Sequence, residues 1–216
     1  MSLNFAPLWI SLKVTVVSAS ITFGLGTAIA YWIYRYKGRG KSVIEGILLM
    51  PLVLPPTVVG FLLLILLGKS SLIGQIFALW DFRLVFTWYA AVLAAVVIAL
   101  PLMFRSALGA FEQIDSLLLD AARVEGASEL EVFWYIALPL AMRGILAGLV
   151  LSLMRILGEF GATLVVAGNI PDQTQTIPMA IYFAVEAGAT AESWLWVMVI
   201  LIVALGAIFS LNLLRP

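Results

Sequence analysis

Long stretches without a single charged side chain constrain this chain more than any other feature. They run from Val14 to Tyr34, Gly46 to Gly68, Leu84 to Phe104 and Ser193 to Leu214. At about 1.5 Å rise per residue, each covers a hydrocarbon layer about 30 Å thick. A fifth apolar span, from about Leu140 to Ala167, carries Arg155 and Glu159 in its interior. Inside lipid no water meets an unpaired amide, so runs of this length must be internally bonded helices, whereas a membrane barrel would show short alternating segments. The expectation is an all-α membrane protein with five transmembrane helices, forming one membrane domain over residues 1–216.

Composition excludes several function classes. Of 216 residues, 63% are hydrophobic and 11% charged, against about a quarter charged in a soluble domain. No polar region is long enough for a separate soluble catalytic domain, and no catalytic residue is expected. With no Cys and no His, disulfides and Cys or His metal sites are excluded, and no metal site is expected. Lys plus Arg equals Asp plus Glu at 12 each, so no basic excess points to nucleic acid. The first apolar run lacks a Lys/Arg-rich leader and small-residue cleavage site, so it reads as a retained helix rather than a secretory signal.

Orientation follows from where the cations fall. Arg35, Lys37, Arg39 and Lys41 crowd the short loop between the first two spans, and such loops belong on the cytoplasmic side. Alternation then places the N-terminus and the Lys69–Arg83 loop outside, the 105–143 excursion inside, the Gly168–Glu192 region outside and the C-terminus inside. Arg105, Arg123, Arg143 and Arg215 join the inner set, leaving Lys13, Lys69 and Arg83 outside. Trp9, Trp32, Trp80, Trp88, Trp194 and Trp196 fall near span ends, as interfacial anchors do.

The inner excursion has its own order. Ser116 to Glu125 reads as a short helix begun by Asp115 and stopped by Gly126, which can take a left-handed conformation. Ser128 with Glu131 three residues later forms a capping box for a second helix. The outer stretch Asn169 to Thr176 is turn-rich and polar, and the apolar Ile177–Val185 segment after it is too short to cross, so an interfacial or partly inserted helix is expected. Pro55 and Pro56 interrupt the second span and Pro101 the third, each removing an amide donor and bending or breaking the local ladder. These are either ordinary transmembrane prolines or a hinge lining a passage.

The inner sequence DAARVEGASELEVFWYIALP, Asp120 to Pro139, resembles the cytoplasmic loop of ATP-binding-cassette importer permeases, in which an E-A-A run is followed by Gly, an aromatic and a closing L-P. Asp120, Ala121, Ala122, Gly126, Phe133, Leu138 and Pro139 occupy the matching positions, with Asp120 replacing Glu. The resemblance implies an importer-permease fold whose excursion, within 105–143, docks on a separate ATPase through Asp120, Ala121, Ala122, Arg123, Gly126 and Ala127. Read without it, Asp120 and Arg123 simply pair at i,i+3. PLVLPPTVVGFLLL from Pro51 and RILGEFGATLVVAGNIPDQTQTIPMAIY from Arg155 are similar to the molybdate permease branch, although Gly158-Glu159-Phe160-Gly161 also occurs in sulfate permeases.

The implied function is ATP-driven molybdate import across the cytoplasmic (inner) membrane, with sulfate or tungstate as the alternative substrate. The implied partners are a second permease copy, two cytoplasmic ATPase subunits, an extracytoplasmic oxyanion-binding protein and membrane lipid. No Gly-rich phosphate loop is read here, so this chain needs no cofactor, and ATP with Mg belongs to the partner ATPase. Pro55, Pro56, Arg155, Gly158, Glu159 and Gly161 are the gate or pathway candidates. Arg155 and Glu159, one turn apart, serve as glue between helices, as a gate or as a substrate contact. Asn169, Asp172, Gln173 and Thr174 form either an exposed turn or the docking surface for the binding protein. An ion-coupled secondary transporter driven through Arg155 and Glu159, and a membrane scaffold, are the remaining readings.

Overall fold

A computed structural model describes residues 4–213, and every regular element among them is helical. Helix α1 (Ala6–Arg35) runs 30 residues, and its buried positions are dominated by small side chains, including Ser11, Ser18, Ala19, Thr22 and Gly26. That stripe lies against α5 (Trp88–Glu112), the central helix, which buries Ala90, Ala91, Ala94, Ala95 and Ala99. Small residues allow close approach in lipid, where apolar burial alone does not distinguish protein from membrane. A Cβ placed on Gly26 would stand 2.6 Å from Met103 Cγ. On the other side of α5 runs α8 (Leu138–Leu157), with Gly144 opposite Ala110 and Gly148 opposite Ser106.

The second span is broken as its prolines imply. Helix α2 (Lys41–Val53) and α3 (Pro56–Leu67) meet at 111°. Leu54 precedes a proline and is forced into extended backbone (ψ 142°), and Pro55 follows it at ψ 135°. Pro101, by contrast, is accommodated inside α5, which continues for eleven residues beyond it to Glu112. The fifth span is not one helix. Residues Gly158 to Phe160 separate α8 from α9 (Gly161–Ala167), because Glu159 turns its carboxylate onto the new helix start rather than continuing the ladder.

Three helical stretches are long and apolar enough to cross a membrane, and the bent α2–α3 pair makes a fourth. The last helix, α11 (Thr190–Leu213), has its described apolar part over Thr190–Gly206 and falls short by the same measure. Leu214 and Arg215, used above for the span end and the inside count, lie outside the described residues. The excursion set at 105–143 is shorter in its non-helical part. Helix α5 carries Arg105 onward to Glu112, and α8, with Arg143 inside it, begins at Leu138.

Between them lie α6 (Ser116–Val124), the single turn α7 (Glu129–Glu131) and a π-helical turn over Val132–Ala137. The loops at the opposite end hold α4 (Leu72–Ala78) and α10 (Ile177–Glu186). The apolar segment after Thr176 is thus helical as expected, with Ile177, Met179, Ala180 and Ala184 buried.

Contacts sort the loops into two ends, as alternation requires. Arg35 pairs with Glu129 and Lys41 with Glu112, joining the basic loop to the excursion. At the opposite end Asn4 donates to Asp172, Ile177 N–H donates to Ser11 Oγ, and Phe86 N–H donates to Val166 O. Trp196 departs from the anchoring role, since it is 2% exposed against Ile177 and Ala180.

Close packing at α5 gives a direct test. A Cβ at Gly148 would lie 2.6 Å from Ser106 Cβ, whereas one at Gly24 meets nothing within 4 Å. Gly148→Val should cost about 1–3 kcal/mol and lower the midpoint of thermal unfolding in detergent, while Gly24→Val leaves it nearly unchanged.

Candidate functional site

The excursion is held by local caps first. Asp115 Oδ1 accepts from Leu117 N–H at 2.9 Å and opens α6. Its end is a Schellman motif: Ala127 N–H donates to Ala122 O at 3.0 Å, Gly126 N–H to Arg123 O at 3.1 Å, and Gly126 sits at φ +94°. A Cβ on Gly126 would meet nothing within 4 Å. Its glycine is therefore required by backbone conformation and not by space. The capping box also forms, with Glu131 N–H donating to Ser128 Oγ at 3.3 Å while Ser128 N–H donates to Glu131 Oε2 at 2.7 Å. The Ser128 hydroxyl, followed by its amide, holds the Glu131 carboxyl below the usual carboxylate range.

Three charges then tie α6 to α1. Arg123 reaches Asp120 at 2.6 Å, the i,i+3 pair read from sequence, and Glu129 at 3.1 Å, while Arg35 at the end of α1 reaches the same Glu129 at 3.2 Å. The hydrogen bonds that Arg123 donates to Glu129 and then to Asp120 raise its pKa. Tyr31, one turn before Arg35, meets Phe133 in a tilted contact at 4.6 Å and Phe111 edge-on at 5.3 Å between ring centroids. Glu129 is the linking residue the sequence reading missed. Its partners lie across a turn and on a distant helix, and with Asp115, Asp120, Glu125 and Glu131 in the same excursion nothing in the sequence singled it out.

The two alanines face different ways. Ala121 is exposed, beside exposed Leu117 and Val124, but Ala122 and Ala127 pack against the cluster that holds Phe111, Leu119 and Val132. The exposed face of α6 therefore comprises Asp120 and Ala121, with Ala122 and Ala127 supporting it from inside.

At the opposite end of α8 the two chain breaks stack. A Cβ on Gly161 would stand 3.2 Å from Pro56 Cβ, and one on Gly60 2.7 Å from the Ala162 Cα. Gly158 has no such crowding, with Met154 O at 3.6 Å its nearest neighbour. Glu159, 3% exposed, accepts from Ala162 N–H through Oε1 at 2.8 Å, and its Oε2 lies 2.9 Å from Arg155 Nη1. Oε2 nonetheless lacks an aligned hydrogen bond, so the pair is an ion contact. The helix break removes the unfavourable Arg-before-Glu orientation that one continuous helix would impose. Ser11, Thr15, Thr163 and Thr176 line a cavity of about 10 Å³ beside Glu159, the size of one water.

The Asn169–Thr176 turn splits as well. Thr174 is buried and staples the turn, accepting from Ile170 N–H at 3.0 Å and donating to Gly168 O at 2.8 Å. Asn169 is half-buried, while Asp172 and Gln173 are exposed. Of these two, Asp172 already accepts from Asn4. Among the described residues no cluster of acidic residues could hold a metal. The tripeptide Gly68-Lys69-Ser70 has the ending of a phosphate loop, but Leu63 stands where the upstream glycine is needed. Ser71 beyond it caps α4, accepting from Gly74 N–H at 2.8 Å.

Residues 20–215 match the binding-protein-dependent transport system inner membrane component family. The chain belongs to that family. The Bacillus subtilis permease protein YvgM is 46% identical over 210 residues, covering 96% of this chain and 92% of that one. The molybdenum transport system permease protein ModB of Escherichia coli is 42% identical over 178 residues, covering 82% and 78%. The sulfate transport system permease protein CysW of a Synechocystis strain is 33% identical, covering 79% of this chain and 63% of its own length. Among solved structures, a bacterial alginate importer superposes with TM-score 0.75 at 18% identity over 98% of this chain and 80% of that one. The MetNI methionine transporter does so with TM-score 0.72 at 18% identity over 97% and 95%. These two share the fold. The chain is thus an importer-permease subunit with transmembrane helices, a transport component.

Two predictions follow from this geometry. Glu159→Gln keeps an oxygen for Ala162 N–H but strands Arg155, and should cost about 3 kcal/mol. Arg155→Gln with Glu159→Gln should recover part of that loss, and Glu159→Ala, which also removes the cap, should be the least stable of the three in thermal unfolding. For the capping box, the lowered pKa of Glu131 means its contribution is complete above the unfolded carboxyl value of about 4.3 and is lost as pH falls through the folded value. Intrinsic-rate-corrected amide protection over residues 129–133 should fall across that acid range in the wild type. It should be lower and flat in Glu131→Gln.

Proposed function

We propose that this chain is the membrane-spanning subunit of an ATP-driven molybdate importer, working as a homodimer with two cytoplasmic ATPase subunits and an extracytoplasmic oxyanion-binding protein. The observation that carries the reading is α6, a pre-formed helix whose exposed Asp120–Ala121 face is fixed by Gly126 and Glu129. The likeness to ModB supports molybdate, and the CysW likeness keeps sulfate as the second reading. ATP and Mg belong to the ATPase partner. In this reading the end bearing Arg35–Lys41 and α6 faces the cytoplasm, by the Lys/Arg bias. The N-terminus then lies outside, the C-terminus inside, and α11 completes five crossings.

Movement of α6 by the ATPase would displace the start of α8 through α7 and the π-helical turn. At the far end of α8 the stacked breaks at Pro55–Pro56 and Gly158–Gly161 are where the barrier changes. A carboxylate at Glu159 repels a bare oxyanion, and with its charge already answered by Arg155 and its oxygen by Ala162, it serves the barrier's shape rather than substrate binding.

Because Ala122 supports the fold, the sharper test is at Ala121. The permease is reconstituted with ATPase and binding protein in liposomes, and ATP hydrolysis, complex assembly and uptake of molybdate against sulfate and tungstate are measured. Ala121→Trp should weaken assembly at least tenfold. Gly126→Val, which places a β-branched residue at φ +94°, should cost about 1–2 kcal/mol locally and lower uptake per ATP hydrolysed. Normal assembly and uptake in both variants would remove α6 as the docking element. Uptake without ATPase would favour an ion-coupled transporter, and no uptake of any oxyanion by the active complex a scaffold.

A further inference from the structure

A groove of about 500 Å³ opens at the excursion end, between the last turns of α5, the start of α6 and the first turns of α8. Arg105 on α5 and Arg143 on α8 both line it, both are exposed, and neither belongs to any ion pair among the described residues. Elsewhere at this end Arg35 and Arg123 share Glu129 and Lys41 lies between Glu45 and Glu112, while Lys37 and Arg39 sit on the exposed basic loop outside the groove. The groove's one acidic residue is Asp115, whose Oδ1 is already held by Leu117 N–H. Gln113 spends its amide on Gly109 O at 3.0 Å. Two guanidinium groups therefore face one occupied carboxylate.

Their depth makes this costly. Arg105 lies seven residues before Glu112, or about 10 Å down the helix from the end that Lys41 meets, and Arg143 lies five residues into α8. An unanswered cation at the edge of the hydrocarbon requires an anion or water, and is a functional-site signal by default. The groove is also walled by Leu118 and Leu140, both exposed. A free oxyanion has no use for such a wall, whereas an amphiphile does.

We propose that this groove binds an anionic phospholipid, with its phosphate between Arg105 and Arg143 and an acyl chain along Leu118 and Leu140. Arginine suits the role, since its planar fork meets phosphate oxygens in pairs. Basic pockets between helices on the cytoplasmic side take anionic headgroups by the same chemistry. The lipid rests on the start of α6 beside its Asp115 cap, so headgroup charge reaches the excursion directly. The inference stands on the groove alone and holds whichever solute the protein moves.

The test is native mass spectrometry of the full chain, released from membranes containing phosphatidylglycerol and phosphatidylcholine at equal mole fraction. The wild type should retain phosphatidylglycerol preferentially. Each of Arg105→Gln and Arg143→Gln should reduce that preference about fivefold, the equivalent of about 1 kcal/mol per cation, and the double variant should abolish it. Lys37→Gln with Arg39→Gln removes the same charge from the loop outside the groove and should leave the preference in place. Equal retention of the two lipids by the wild type, or an equal loss in the loop variant, would overturn the site in favour of diffuse surface charge. An arginine-dependent thermal shift with millimolar phosphate or molybdate in lipid-free detergent would overturn the lipid reading in favour of a free-anion site. Should the double variant not fold, the two single variants carry the comparison.

Discussion

In a medium without water, a helix can be broken only where the protein itself answers the polar groups that the break releases. This chain has two such interruptions, and it places them against each other. Pro55 and Pro56 have no amide hydrogens to leave unanswered, so the first break is cheap on the donor side. At the second, Ala162 N–H would be orphaned at the start of α9, and Glu159 Oε1 takes it at 2.8 Å. That in turn buries a carboxylate, which Arg155 neutralises from one turn earlier. Gly161 and Gly60 then let the two broken segments close without a side chain between them. Remove the glycines and the breaks separate; remove the ion pair and a buried charge remains.

The excursion obeys the opposite economy, because water is available to it. Exposed ion pairs are individually worth about 1 kcal/mol or less. What orders the segment is redundancy: a cap at each end of α6, a capping box at Ser128, and aromatic contact of Tyr31 with Phe133. Glu129 joins these local devices to α1 and makes the segment one body with the membrane helices. A π-helical turn lies just where this body meets α8, and such turns relieve packing by admitting an extra residue. Helix α8 thus has an adaptable joint at one end and a stacked break at the other, with twenty residues of regular helix between.

Much of this was legible because it rests on local chemistry. The Asp115 and Ser128 caps, the left-handed Gly126, the Asp120–Arg123 pair and the proline break all involve residues within a few positions of one another, where backbone geometry dictates the contact. The helix break at Gly158 to Phe160 was not legible. Its sequence is compatible with a continuous helix, and Arg155 and Glu159 stand at the same spacing in either case. Pro101 misled in the other direction, because packing on both sides of α5 holds the helix through it. The two guanidiniums of Arg105 and Arg143 read as loop charges only because charge was used to draw the loop's edges.

The sequence by itself determined that the chain is helical, that it belongs in lipid and which loops share an end, since uncharged length and the placement of cations depend on the solvent alone. It could not say which face of each helix meets protein. Apolar side chains are equally content against lipid or against a neighbour, so hydrophobicity carries no direction in helices that are apolar all round. Only the tertiary structure turned Ala122 inward and Ala121 outward, buried Trp196 while leaving Trp194 exposed, and brought Glu129 between Arg35 and Arg123. The deciding forces there were close approach of small residues and the pairing of charges from distant segments, neither of which has a fixed spacing along the chain.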